Sequence, residues 1–222
     1  MFDSLKPRQL ASLYLTAKER VIDAGFANEI DWQEDVSLDD LNESAFLREW
    51  AWVVLSSGFR ETVLRRRFAD ISSAFLHWAS AELIISHRET CQRKALVVFR
   101  NERKISAILK IVEQVANTGI EAIRRNILDR GTEFLKELPF IGPITACHLA
   151  KNLGVPIVKP DRHLMRIATR TGYGSPDRMC RIISEYVGDT LGVIDVVLWR
   201  YATLRNREAT RQNQSLHDDS NG

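Results

Sequence analysis

Residues 131–153 read GTEFLKELPFIGPITACHLAKNL, and their punctuation decides the fold. A short amphipathic helix over 131–137 ends at Leu138, and Pro139 stops it. Gly142 is expected to supply the positive φ that a tight turn requires. Pro143 takes the first position of the next helix, where a missing N–H costs nothing. The N–H groups of Ile144, Thr145 and Ala146 are then expected to be unpaired and to face outward with the positive end of the helix dipole. Such a turn is an anion site that needs no side chain and suits a nucleic-acid phosphate. A plain helical turn carries the same marks in sequence.

Outward from this hairpin the chain reads as helix after helix. Five of its six prolines fall between Pro139 and Pro176, so tight turns concentrate there. Upstream, apolar residues recur at helical spacing over Leu5 to Ala24, from Ser44 with Leu47, Trp50, Val54 and Leu55 on one face, and over 62–75, 78–85 and 90–99. Asn101 is expected to cap a long helix whose inner side is Ile105, Ile108, Leu109 and Val112. Helices at 120–129, 143–153, 162–171, 177–187 and 193–205 complete an all-α expectation. No run of alternating residues argues for a strand. The end, RNREATRQNQSLHDDSNG, is polar without periodicity, and 205–222 is expected to be a flexible tail.

The 222 residues fit one large domain or two small ones, with 45% hydrophobic and 27% charged residues. That composition excludes a collagen, a mostly disordered chain and a membrane protein. The longest apolar stretch, about Trp50 to Leu55, falls far short of the ~20 residues a spanning helix needs. The opening MFDSLKPRQL holds no apolar signal core, so a cytoplasmic protein is expected. Cys91, Cys147 and Cys180 lie far apart and form neither a metal-spaced cluster nor an even disulfide framework. Net charge is only +2, but residues 29–49 hold eight acids against Arg48 and carry −7, leaving +9 on the remainder. Bases cluster at Arg60, Arg65, Arg66 and Arg67, at Arg100, Arg103 and Lys104, and from Lys159 to Arg181. A polarised surface of this kind suits a polyanion such as nucleic acid, although each cluster alone also reads as a solvated helix face.

The second informative stretch is VKPDRHLMRIATRTGY, residues 158–173. A loop closed by Pro160 leads to Asp161, which precedes a helix with Leu164, Ile167 and Ala168 as its apolar stripe. As an N-cap, Asp161 would simply accept N–H bonds. The same bonds and the helix dipole also hold its carboxylate ionised. A fixed carboxylate in a cleft can stabilise a positively charged sugar or orient a water to attack it. Glycosidic cleavage passes through such an oxocarbenium-like state.

A hairpin of the type Leu-Pro-x-x-Gly, followed about twenty residues later by a loop with proline, aspartate and x-His, resembles the signature of the helix-hairpin-helix/Gly-Pro-Asp DNA glycosylase superfamily. Here those residues are Leu138, Pro139, Gly142, Asp161 and His163. WVVLSSGFRETVLRRRF (52–68) looks like the family's early helix and loop, above all in the 3-methyladenine DNA glycosylase I branch. FRNERKISAILKIVEQV (99–115) looks like its lead into a long helix, and DVVLWRYA (195–202) like its closing helix, in endonuclease III-like branches too. The resemblance covers roughly residues 44–204.

The resemblance implies a two-lobed helical fold with a helix-hairpin-helix motif. It implies an N-terminal acidic extension, 1–43, on a core of 44–204. It also implies a monomer that acts on double-stranded DNA, in base excision repair, without a cofactor. Asp161 would assist departure of a flipped base and help water attack C1′. Gly142, Ile144, Thr145 and Ala146, with Lys159 and Arg162, would hold the DNA backbone. Phe59 or Arg60, in the loop after Gly58, would enter the gap left by the flipped base. Trp50, Trp52, Glu61, His148 and Trp199 are the other pocket candidates; Phe59 reads equally as core, the tryptophans at helical spacing are more often core, and His148 is more often a core or surface histidine. Where relatives that also nick the strand carry a lysine nucleophile, this chain has Ile144, so a monofunctional hydrolase leaving an abasic site is expected. Phe140 stands at the usual first glycine of the hairpin turn, and Val53 where the 3-methyladenine branch has a pocket glutamate. Neither that branch's zinc site nor an iron–sulfur cluster has its cysteines here, so no metal is expected. The alternatives are a non-catalytic DNA-binding protein, a lyase using Lys159 or another lysine, a defence glycosylase against modified phage DNA, and a helical interaction module.

Overall fold

Side-chain caps set the helix starts. Asn42 accepts the N–H of Ala45 at 2.9 Å, Ser80 that of Leu83 at 3.1 Å, and Asn101 that of Lys104 at 3.1 Å. Ser175 accepts from Arg178 at 3.4 Å, and Pro176 takes the first helical position behind it. The computed structural model describes the backbone of residues 5–218 and the side chains of residues 5–206. Among the described residues there are thirteen α-helices and no strand, so the all-α expectation holds. No described helix is long and apolar enough to cross a membrane.

The chain divides into two compact units, and not at the expected 43/44 boundary. The first joins residues 1–35 to 156–222; the second is 36–155. The first unit contains α1 (Pro7–Asp23), α2 (Ala27–Asp35), α11 (Arg162–Arg170), α12 (Pro176–Val187) and α13 (Leu191–Asp218). Its core brings Leu10, Tyr14 and Val21 of α1 against Leu164, Met179, Ile183 and the Val193–Leu198 run of α13. The N-terminal residues thus help build the core of a helical unit. Among the acids of 29–49, Glu29 and Glu49 are structural. Glu29 takes a bidentate grip from the buried Arg200 guanidinium, at 2.6 and 3.0 Å. That cation also lies 4.2 Å from the Phe26 ring centre. α2 itself was hidden in the acidic run, and the last helix, expected over 193–205, extends to Asp218. Residues 219–222 of the expected tail lie outside the described residues.

The second unit holds α3 (Glu43–Ser56), α4 (Glu61–Ala74), α5 (Ala81–Ser86), α6 (Arg88–Val98), α7 (Glu102–Thr118), α8 (Ile120–Arg130), α9 (Thr132–Lys136) and α10 (Pro143–Asn152). α3, α5 and α6 lie against α7, whose inner stripe of Ile105, Ile108, Ile111, Val112 and Val115 is buried. The segment expected to be helical from Trp78 instead opens with a left-handed turn, Leu76–His77–Trp78, all at φ between +54° and +62°. Stacking of Trp78 on Phe75 at 4.8 Å and its Nε1–H bond to Ser72 at 3.0 Å hold that unfavourable backbone in place. Gly154, at φ +86°, ends the second hairpin helix. A Cβ there would sit 2.6 Å from the Leu38 backbone nitrogen, so only glycine permits this close approach.

Candidate functional site

In the second unit, α9 and α10 form the expected hairpin, with Leu138 and Ile141 buried beneath the turn. Its backbone corrects the sequence reading three times. Gly142 is extended, at φ −99° and ψ −177°; the positive φ, +63°, belongs to Phe140. The Gly142 N–H is not open either, since it donates to Thr145 Oγ1 at 2.7 Å. Thr145 returns its hydroxyl to the Gly142 carbonyl at 3.0 Å, and the Ala146 N–H donates to the same carbonyl at 2.8 Å. Ala146 therefore cannot contribute a free donor. The N–H groups of Ile144 and Thr145 remain without a partner among the described residues. Ile144 is half-exposed, so both donors face a surface at the positive end of α10.

In the first unit, Asp161 caps α11. Its Oδ1 accepts the N–H of His163 at 2.8 Å and of Leu164 at 3.1 Å. Its Oδ2 has no partner among the described residues, and the side chain is half-buried. The preceding loop is anchored from behind. Asp195, buried on α13, accepts the Lys159 N–H at 2.7 Å, and the Asp161 N–H donates to the Lys159 carbonyl at 2.8 Å. Asp195 thereby fixes the two residues before the carboxylate. Its signal in sequence is a lone acid inside the apolar run LGVIDVVL.

His163 is buried, and its Nδ1 has no hydrogen-bond partner among the described residues. Burial holds its pKa below the ordinary histidine value. Asp161 pulls it back up, while Arg162, Arg166 and Lys159 push it further down. The ring is therefore neutral at pH 7. Arg162 is exposed and donates to the His163 ring, at 3.4 Å.

No protein-family model matches the chain, and no curated protein matches it.

The residues expected around a base occupy several environments in the second unit. Phe59 is 46% exposed, with its ring against Phe99 at 4.9 Å. Gly58, at φ +75°, bends the loop before it, and Arg60 is exposed. Glu61 is engaged by Arg65 one turn along α4. Trp52 meets Phe68 edge-on at 5.0 Å and carries the Arg65 guanidinium on its face at 5.6 Å. Trp50 is wholly buried, and His148 lies half-buried on α10. Trp199, of the first unit, packs on its neighbour Arg200 at 4.7 Å.

Two buried charged groups escaped the sequence reading. Lys104, counted there among surface bases, is buried. Its ammonium donates to the carbonyls of Leu55, at 3.1 Å, and Ser57, and lies 4.7 Å from the Phe59 ring centre. It caps the C-terminal end of α3 and fixes the loop that presents Phe59. Burial lowers its pKa to about 8. Its signal was its place on the inner stripe with Ile108 and Ile111. Glu49 is also buried; it accepts from Asn152 at 3.0 Å and pairs with Arg48 at 2.8 Å. Burial pushes its carboxyl up, while Arg48, Asn152 and Lys151 pull it back. No group of three or more His, Cys, Asp or Glu side chains that could hold a metal occurs among the described residues.

Proposed function

We propose that the chain is a monofunctional DNA glycosylase, which hydrolyses the bond between a damaged or modified base and its deoxyribose and leaves an abasic site. The observation that carries this is Asp161. One of its oxygens is tied to two backbone N–H groups, and the other has no partner among the described residues, at the start of a helix. Such a carboxylate is held immobile with its second oxygen open to a reacting group, which is what stabilising a cationic sugar requires. As the C1′–N bond breaks, the base leaves with the electron pair. Oδ2 faces the positive charge at C1′, then takes a proton from the water that adds there. The hairpin supports the same reading, since the Ile144 and Thr145 N–H groups suit a backbone phosphate. Ile144, at the position the resemblance assigns to a lysine nucleophile, removes the amine for a Schiff base.

The test is abasic-site formation on duplexes bearing alkylated, oxidised, deaminated or hypermodified bases, revealed by hot alkali, with Asp161→Asn beside the unaltered chain. Asparagine caps a helix about as well as aspartate, so this variant keeps the fold and loses the charge. Alkali-dependent cleavage that the variant loses supports the proposal. Cleavage without alkali, with borohydride trapping, would replace it with a lyase. DNA binding without product on any substrate would favour a non-catalytic binder.

A further inference from the structure

A cleft of about 380 Å³ opens between α7 and the hairpin turn, within the second unit. Arg103, Ser106 and Lys110 line it from α7, at a spacing that places all three on one helix face. Pro139 and Phe140 line it from the turn, and Glu102 also lines it. Its volume lies at the low end of ligand sites, roughly 300–1,000 Å³. Two features of its lining bear on what it would hold. Arg88, Arg124, Arg130 and Arg181 each reach a carboxylate. Arg103 and Lys110 have none among the described residues, so two uncompensated cations face one hollow beside a single acid. The other is Phe140, which keeps a large apolar side chain 48% exposed at φ +63°, where glycine would be at ease.

We propose that this cleft is a second strand-backbone subsite. It takes the nucleotide unit next to the phosphate held at Ile144 and Thr145, with the phosphodiester between Arg103 and Lys110 and the sugar or base edge against Phe140. The inference rests on the DNA reading above and adds a residue-level path for the strand. An aromatic ring beside paired cations is how sequence-tolerant nucleic-acid grooves are built. Glu102 opposes the bound phosphate and tempers its affinity.

The test uses the full chain and a fluorescein-labelled 20-base-pair duplex, with anisotropy read from 50 to 200 mM NaCl. Arg103→Ala/Lys110→Ala should weaken binding about 10-fold and lower the salt slope by about 1, the signature of one lost phosphate contact. Arg93→Ala/Lys94→Ala, which removes equal charge from α6 outside the cleft, should leave the slope unchanged. Glu102→Gln should tighten binding, and Phe140→Gly should weaken it. Melting curves verify that each variant is folded. Equal losses in the two double variants would overturn the subsite in favour of bulk charge. Saturation of the cleft by inorganic phosphate alone, at concentrations that leave the duplex bound, would make it a free-anion site and overturn it too. No binding by the unaltered chain would overturn both the subsite and the DNA reading, whereas binding indifferent to the cleft variants would overturn the subsite alone.

Discussion

Replacing Phe140 separates backbone strain from side-chain packing. At φ +63° an L-residue sits in the left-handed region, where Cβ crowds its own carbonyl at a cost of about 1–2 kcal/mol. Phe140→Ala removes the half-exposed ring and keeps that strain. Phe140→Gly removes the ring and relieves the strain, at a penalty of about 0.4–1 kcal/mol from the freer unfolded chain. The difference favours glycine over alanine by about 0.5–1 kcal/mol, the reverse of the usual order. Urea unfolding followed by tryptophan fluorescence reads it, because Trp50, Trp52 and Trp78 all lie in the hairpin's own unit. With a slope of about 2–3 kcal/mol per molar, the glycine midpoint should lie roughly 0.3 M above the alanine midpoint. An alanine variant as stable as the glycine variant, or more so, would refute the strain argument.

Three further outcomes are expected. Because folding lowers the Lys104 pKa to about 8 from 10.5, the unfolded chain binds a proton that the folded chain has released between those values, so stability should rise across that window. Lys104→Met should flatten that rise in urea midpoints taken from pH 7.5 to 10. His163 is shifted the same way: the unfolded ring protonates first as pH falls below about 6.5, so stability present at neutral pH should decline on acidification. A His163→Leu chain melted at pH 5 and 7 should show less of that decline. Asp195→Ala removes the acceptor of the part-buried Lys159 N–H and should destabilise the unit of 1–35 and 156–222 by about 1–3 kcal/mol, seen as an earlier thermal transition.

What could be read from sequence was local. Asn101 and Asp161 cap their helices as expected because a cap needs only a side-chain oxygen and N–H groups two or three residues on. Pro143 opens α10 for the same short-range reason. Within the hairpin, sequence named the right turn and the wrong residue. Glycine at 142 permits a positive φ without demanding one, and the chain placed it on Phe140, which no propensity would choose. The groups that position the site came from afar. Asp195 meets Lys159 across thirty-six residues, and Lys104 meets Leu55 across forty-nine. A lone polar residue on an apolar stripe announces such a pairing without naming its partner. The acidic run misled because charge alone hid α2 and the Glu29 grip on Arg200.

The discontinuous make-up of the first unit has a consequence for synthesis. Its opening 35 residues leave the ribosome with Leu10, Tyr14, Val21 and Ile30 lacking the α11–α13 partners they bury against. Residues 36–155 must be translated before those partners begin to appear, a delay of roughly 6–24 s at about 5–20 residues per second. The intervening segment can complete its own core meanwhile, so the residues from Pro156 onward close a unit that the residues before Val36 began.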